Sequence, residues 1–301
     1  MDRLLSMEMF RGVVEAGSFA AAGRRLGVTR SAVSKHVSSL ENELGVQLLQ
    51  RSTRKVSLTD VGLAFYERCL RVLDDVEEAM SLAGEMNDRP AGNLRMNAPM
   101  SFGTLHLAKL VAEFGRAYPD VRVELVLNDR RVDPIAEGFD VTVRIARPEA
   151  LTSLVTREIN RVNLVLCAAP AYLERRGEPR APKDLAKARC LHYGYQETGN
   201  HWRLRGPDGD VSAPVNCSMW SNNGEVLMQA ALRGLGVCLL PTFIVGDALR
   251  DGRLRPVLPD FKPEPLTLLA LYPRHRHLSA KVRQMVDLME ERFGGVAYWD
   301  E

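Results

Sequence analysis

No stretch of the 301-residue sequence approaches the ~18 consecutive apolar residues that a membrane span requires. The opening Met1-Asp2-Arg3-Leu4-Leu5-Ser6-Met7-Glu8 places acids where a secretion signal carries a basic stretch and then an apolar core. The chain is therefore expected to stay in the cytoplasm, with no membrane partner. Cysteine is sparse too. Cys69, Cys167, Cys190, Cys217 and Cys238 are odd in number and widely spaced, with no C-x-x-C pair. That pattern excludes a disulfide framework and a closely spaced zinc site, and fits reduced thiols. Cys167 and Cys238 lie in apolar runs and read most simply as core filler, a redox-sensing pair being the other reading. Catalytic signatures are missing as well: there is no G-x-S-x-G, no G-x-x-x-x-G-K-[ST] and no H-E-x-x-H. Gly234-Leu235-Gly236 lacks the later glycine of a dinucleotide fingerprint, and the six histidines do not gather with acids or cysteines at ligand spacing. No metal, cofactor or enzymatic turnover is expected.

What is present is ordinary in bulk and uneven in distribution. Hydrophobic residues at 46% and charged residues at 26% describe a globular protein, and the length calls for two or three domains. Residues 1–58 hold nine Arg and Lys against five acids, whereas residues 59–89 hold three against eight. A basic head followed by an acidic helical segment implies a polyanionic partner for the head alone.

The head has internal order. Leu5, Met9, Phe10, Val13 and Val14 recur at helical spacing up to Gly17. Ser18 suits the N-cap of a short alanine-rich helix, Phe19 to Leu26, and Thr29 suits the cap of a third helix running to Leu44. On that third helix Val33, Val37, Leu40 and Leu44 fall on one face, expected to be the core face. Arg30, Ser31, Ser34, Lys35 and Ser38 occupy the other, which carries no acid until Glu41 and Glu43. Short hydroxyls, two cations and the positive end of the helix dipole suit a phosphate-lined groove of double-stranded DNA, and Arg30 is long enough to reach guanine edges. Past Gly45, strand-like residues flank a basic tip, so Arg51, Arg54 and Lys55 are expected on a β-wing at the backbone or minor groove.

This head resembles the LysR-type transcriptional regulators. The resemblance is carried by Gly17-Ser18-Phe19-Ala20-Ala21-Ala22, Leu26, Val28, Ser31-Ala32-Val33-Ser34, Leu40-Glu41, Leu44-Gly45, Leu48-Leu49, Arg51 and Leu58-Thr59-Asp60-Val61-Gly62. One departure is local: family members often carry Gln followed by Pro or Ser where this chain has Arg30-Ser31. Weaker matches continue through Gly92-Asn93-Leu94-Arg95, Ala98-Pro99, Tyr118-Pro119, Gly138-Phe139-Asp140, Ala169-Pro170-Ala171-Tyr172-Leu173 and Gly234-Leu235-Gly236-Val237. The resemblance implies a winged helix-turn-helix (1–58), a dimerising linker helix (59–89) and an effector-binding domain (90–301). That domain would hold two Rossmann-like α/β subdomains of periplasmic-binding-protein type, one from 93–161 and 267–301, the other from 162–266. It further implies a homodimer assembling to a tetramer that bends its operator, with RNA polymerase as a partner.

The rest of the chain reads compatibly. Thr59 suits a cap for a helix to about Asn87, with Tyr66, Leu70, Leu73, Val76, Met80 and Ala83 at nearly coiled-coil spacing, though a helix packed on its own domain would show the same face. Beyond Pro90, strands and helices alternate, which argues for parallel α/β sheets, with a helix at Gly103–Ala117 and a short one at 134–137. Ligands in such folds sit at strand ends and helix starts. Three places are candidates for a small effector, anionic or aromatic: Pro99-Met100-Ser101, Arg144 taken as the end of a strand, and Asn222-Asn223-Gly224. Ser101 and Asn222 read equally as helix caps, and Arg144 as an ion-pair member. Tyr195 and Trp202 fit either an aromatic ligand or core packing. A cysteine-based redox regulator and a ligand-free architectural DNA protein are the rival functions.

Overall fold

The computed structural model describes residues 2–51, 56–83, 89–148, 153–194, 201–274 and 279–300. Two compact units, Met1–Asp88 and Arg89–Glu301, divide the chain.

In the first unit, each of three helices starts on a side-chain cap and stops at a glycine in the left-handed region. Asp2 Oδ1 accepts from the Leu5 N–H to start α1 (Arg3–Ala16), which ends at Gly17. Ser18 Oγ accepts from Ala21 for α2 (Phe19–Leu26), ending at Gly27, and Thr29 Oγ1 from Ala32 for α3 (Arg30–Leu44), ending at Gly45. Each such cap contributes about 1 kcal/mol, and the glycines turn the chain sharply enough to pack the helices on one another. Phe10, Val13, Val33 and Val37 are fully buried between them. Leu44 departs from the expected core face: it is 41% exposed, as is Val46. The last turn of α3 overhangs the core just before the chain reverses at Gly45.

A two-stranded antiparallel ribbon follows, β1 (Leu49–Arg51) and β2 (Val56–Leu58), with Leu49 opposite Leu58 and Arg51 opposite Val56. Helix α4 (Asp60–Ala83) then leaves the ribbon through a tight junction. Thr59 Oγ1 accepts from the Gly62 N–H at 2.9 Å and donates to the Gln47 carbonyl at 2.8 Å. Gly62 lies so close to β1 that a Cβ there would stand 1.9 Å from the Leu48 carbonyl oxygen. Phe65 and Tyr66 place their rings 5.8 and 6.2 Å from Phe10, and Cys69 is buried beside them, its thiol pushed up to about 12 by burial. The expected seam of α4 is thus partly used within the chain: Tyr66 packs on the first unit's core and Leu73 is buried, while Met80 stays 73% exposed.

The second unit begins with β3 (Gly92–Ala98), a short helix α5 (Met100–Phe102), a π turn (Gly103–Leu107) and α6 (Ala108–Ala117). The helix therefore starts three residues before the expected Gly103, at the end of β3. Strands β4 (Val121–Leu127), β5 (Val141–Ala146) and β6 (Leu154–Val162) follow. Residues 134–137 form turns rather than a helix, because Asp133 Oδ1 accepts from the Ile135 and Ala136 N–H groups. Next come β7 (Leu164–Ala168), α7 (Pro170–Arg176), β8 (Arg189–Tyr193), the hairpin β9 (His201–Gly206) and β10 (Gly209–Pro214), and β11 (Asn216–Ser221). The chain closes with α8 (Gly224–Leu232), β12 (Val237–Pro241), α9 (Thr242–Arg250), β13 (Arg255–Pro256), β14 (Lys262–Pro263), β15 (Leu266–Pro273) and α10 (Ala280–Phe293).

Among the described residues these strands make two five-stranded sheets, ordered β4-β3-β5-β15-β6 and β11-β8-β12-β7-β13. A smaller sheet, β10-β9-β14, lies beside the second. The expected parallel sheets are in fact mixed. β3 runs parallel to β4 and β5, but β15 is antiparallel to both β5 and β6, and β12 is antiparallel to β7. The chain passes from the first sheet to the second at Asn163 and returns between β14 and β15, and each direct crossing reverses strand direction. The parallel strands end at Ala98, Leu127, Tyr193 and Ser221, and where the two sheets meet, the loop after β3 reaches the start of α8. Phe102, Phe243, Phe293 and Trp299 pack as a ring cluster.

Candidate functional site

The outer face of α3 begins with geometry. Val33, Val37 and Leu40 are buried, which turns Arg30, Ser31 and Lys35 to solvent and leaves Ser34 half-buried between them. His36 bonds through Nδ1 to Ser6 Oγ at 3.0 Å, tying α3 to α1. The two acids on α3 are engaged elsewhere. Glu43 pairs with Arg3, and Glu41 Oε1 accepts from the Leu48 and Leu49 N–H groups at 2.9 and 3.1 Å. Glu41 thus fastens the base of the ribbon to the far end of α3, a role sequence reading missed. Its one clue was position, since a carboxylate in the last turns of a helix opposes the dipole and needs a local donor. Replacing Glu41 by alanine leaves two backbone donors unpaired and should cost about 1–3 kcal/mol. Thermal unfolding checks this, with Glu41→Gln, which keeps Oε1, recovering most of the loss. Arg54 and Lys55 lie outside the described residues, as does the side chain of Arg51, although its backbone is placed in β1.

In the second unit the structure brings two of the expected places together. Ser101 is buried, and its Oγ lies 3.7 Å from where a Cβ on Gly224 would stand. Met100 Sδ accepts from Asn223 Nδ2 at 3.0 Å, so β3's loop meets the start of α8 where the two sheets adjoin. The cap of α8 is Asn223, whose Oδ1 accepts from Val226, while Asn222, one residue earlier, is exposed. Arg144 does not end its strand, which runs on to Ala146, and its guanidinium donates to the Val132 carbonyl. Trp202 belongs to the core of the second sheet, and Tyr195 lies outside the described residues. The unexpected member of this junction is Asp129, two residues past the end of β4. Its Oδ1 accepts from the Met100 N–H at 3.1 Å, and burial raises its carboxyl above the usual range, eased by that bond and by the nearby Tyr193 hydroxyl.

The comparisons agree with both halves. The model of the "Bacterial regulatory helix-turn-helix protein, lysR family" matches residues 4–63, and that of the "LysR substrate binding domain" matches residues 87–294. The chain belongs to the LysR family of transcriptional regulators. AaeR of Escherichia coli K12, named as a transcriptional activator, is 33% identical to this LysR-type regulator over 97% of its chain and 94% of the relative. An HTH-type transcriptional regulator of Haemophilus influenzae is 35% identical over 94% of this chain and 98% of its own. Among solved structures, CrgA of Neisseria meningitidis matches with a TM-score of 0.63 and 29% identity, covering 97% of this chain and 99% of that one. AphB, a virulence activator of Vibrio cholerae, matches with a TM-score of 0.60 and 28% identity over 95% and 98%. This LysR-type chain is a DNA-binding transcriptional regulator with an effector-binding domain, not an enzyme. No helix among its described residues is long and apolar enough to cross a membrane.

The cysteines of this LysR-type regulator give the redox reading little support. Cys167 and Cys238 lie opposite each other on β7 and β12, fully buried, with sulfurs 3.5 Å apart. The contact with Cys167, together with burial, holds the Cys238 thiol far above its usual range. Protonated thiols without solvent access are poor nucleophiles.

Proposed function

We propose that the regulator docks α3 in the major groove of its operator, with Arg30, Ser31, Ser34 and Lys35 on bases and flanking phosphates. The wing, carrying Arg51, Arg54 and Lys55, follows the backbone or enters the minor groove. The observation that carries this reading is the outward face of α3: cations and hydroxyls are presented there, while Glu41 and Glu43 are tied to the ribbon and to Arg3. The free face of α4, with Met80, pairs with a second copy, and two such dimers form a tetramer that bends the DNA and meets RNA polymerase. All of this takes place in the cytoplasm.

The effector sits between the two sheets, against Met100, Ser101 and the Asn222-Asn223 turn, and Arg144 shapes that wall by holding the Val132 loop. Opening or closing the cleft is the differential event an effector needs in order to shift the regulator between states. A footprint on the intergenic DNA beside the protein's own gene tests both halves. Protection should weaken steeply as salt rises. Ser101→Leu, which fills the cleft, should keep basal protection and lose its response to added metabolites. Protection that ignores salt would remove the DNA half, and an unchanged response in Ser101→Leu would remove the effector half.

A further inference from the structure

The segment that follows α10 links the two sheets a third time, beyond the two crossings of the chain. Helix α10 itself is fastened to the first sheet's side. Arg157 of β6 donates to Glu290 at 2.7 and 3.0 Å, Arg292 pairs with Glu113 of α6, and the Tyr118 hydroxyl donates to Gln284 at 2.8 Å. Asn160 Nδ2 then donates to the Phe293 and Gly295 carbonyls where the helix ends. From there residues 297–300 run onto the other half. The Asp300 carboxylate accepts from Asn163 Nδ2 at 2.8 Å, at the crossing between the sheets. The Trp299 carbonyl accepts from Arg250 at 3.4 Å on α9, the helix that follows β12 of the second sheet. Both halves also share the seat of the Trp299 ring, which lies 6.0 Å from Phe102 and 5.1 Å from His106 on the first, and 6.2 Å from Phe243 of α9. Trp299 is 4% exposed and Val296 79%, so the chain passes from solvent into the core within three residues. His106 joins the same elements. Its Nε2–H donates to the Phe243 carbonyl at 3.1 Å, which leaves Nδ1 to accept from the Tyr298 hydroxyl.

We propose that residues 297–300 are a strap that sets how the two halves of the effector-binding domain stand relative to each other, and that Trp299 leaves its seat when the regulator switches state. The inference rests on the reading that an effector acts by resetting those halves. The crossings at Asn163 and before β15 are single strands of chain, which a hinge motion can bend at low cost. The strap is different, because tilting α9 against the π turn breaks the His106 bond to Phe243 and opens the Trp299 seat together. A packed contact of that kind is either made or lost, which gives two settings rather than a continuum. The seat is also built for release. Trp299 Nε1 is buried with no hydrogen-bond partner among the described residues, so packing alone holds the indole, and its N–H gains water on leaving.

Gly246→Ala lifts the strap without harming the helix beneath it. A Cβ there would stand 2.6 Å from the Trp299 carbonyl oxygen, a backbone atom, while alanine itself favours a helix interior such as α9. Hydrogen exchange on the full chain, with no ligand added, should show residues 296–300, α9 and the π turn exchanging faster together, by at least about tenfold, with the β9–β10 hairpin unchanged. Tyr298→Phe keeps the ring but removes the hydroxyl from His106, and should move the same segments in the same direction by less. Leu185→Ala, in the separate core of the second sheet, controls for general loosening and should leave 296–300 at the parent's rate. On the intergenic DNA, Gly246→Ala without metabolite should shift the boundaries of the footprint. Exchange in 296–300 that stays at the parent's rate, or rises without α9, would overturn the strap. So would an equal rise in Leu185→Ala, which would make the contact ordinary core packing. Faster exchange with the parent's footprint would overturn the regulatory role, while the effector reading stands or falls separately by the response of Ser101→Leu.

Discussion

Gly62→Ala should unseat the wing. The new methyl would stand 1.9 Å from the Leu48 carbonyl oxygen and 2.8 Å from its carbon, and both are backbone atoms that no rotamer change can move aside. Relief requires α4 to slide away from β1, which breaks the Thr59 bonds to Gln47 and Gly62 and shifts Phe65 and Tyr66 off Phe10. Overpacking of this kind costs about 3 kcal/mol or more. For a unit the size of Met1–Asp88 that corresponds to a melting shift of about 10 °C or more. Operator affinity should fall with it, because the wing is set by the same junction. Gly115→Ala is the matched control. Nothing lies within 4 Å of that position in α6, so the extra methyl should raise helix stability by up to ~1 kcal/mol. Calorimetry of the two variants decides the matter. A Gly62→Ala protein melting within a degree or two of its parent would mean the junction is looser than described.

Arg30→Ala and Lys35→Ala should both weaken operator binding, in distinguishable ways. An arginine reading base edges loses about 1–3 kcal/mol on truncation, and the loss is largest on the preferred sequence. A lysine on phosphate loses affinity evenly across sequences and reduces the slope of log affinity against log salt by about one. Fluorescence anisotropy across a salt series, on an operator and on a scrambled duplex, separates the two roles. Equal losses on both duplexes for Arg30→Ala would make it a backbone contact. No loss for either variant would take α3 out of the groove.

Much of the first unit was readable because its rules are local. Ser18, Thr29 and Thr59 cap within three residues of their partners, and Gly17, Gly27 and Gly45 stop the helices where the apolar period breaks. Leu44 misled because helical phase continues to the last turn while the core does not. In the second unit, strands rich in branched residues such as β4 and β15 carry a local signal, but β6 does not. Its run Leu-Val-Thr-Arg-Glu-Ile-Asn-Arg-Val carries an edge strand's polar outer face. Strand direction was hidden too, since nothing local distinguishes β15's antiparallel pairing from a parallel one. The junction between the sheets shows the same divide. Ser101 and the Asn222-Asn223-Gly224 turn were legible as helix starts, off by one residue for the cap. The bond from Met100 to Asp129 spans 29 positions and the Arg144 bond to Val132 spans 12, and neither separation leaves a periodic trace.

The placement of β15 also governs the order in which the protein can be built at the ribosome. Among the described residues β6 sits at one edge of its sheet and pairs with β15 alone, and β5 meets β15 on its open side. As the polypeptide emerges, both strands must wait with bare backbone edges while the whole second sheet is synthesised, until Pro273 has cleared the exit tunnel. Unpaired edges of that kind invite association between nascent chains. Production of this regulator is therefore most vulnerable during translation of residues 163–273, and a stop codon anywhere in that interval discards the first sheet along with the second.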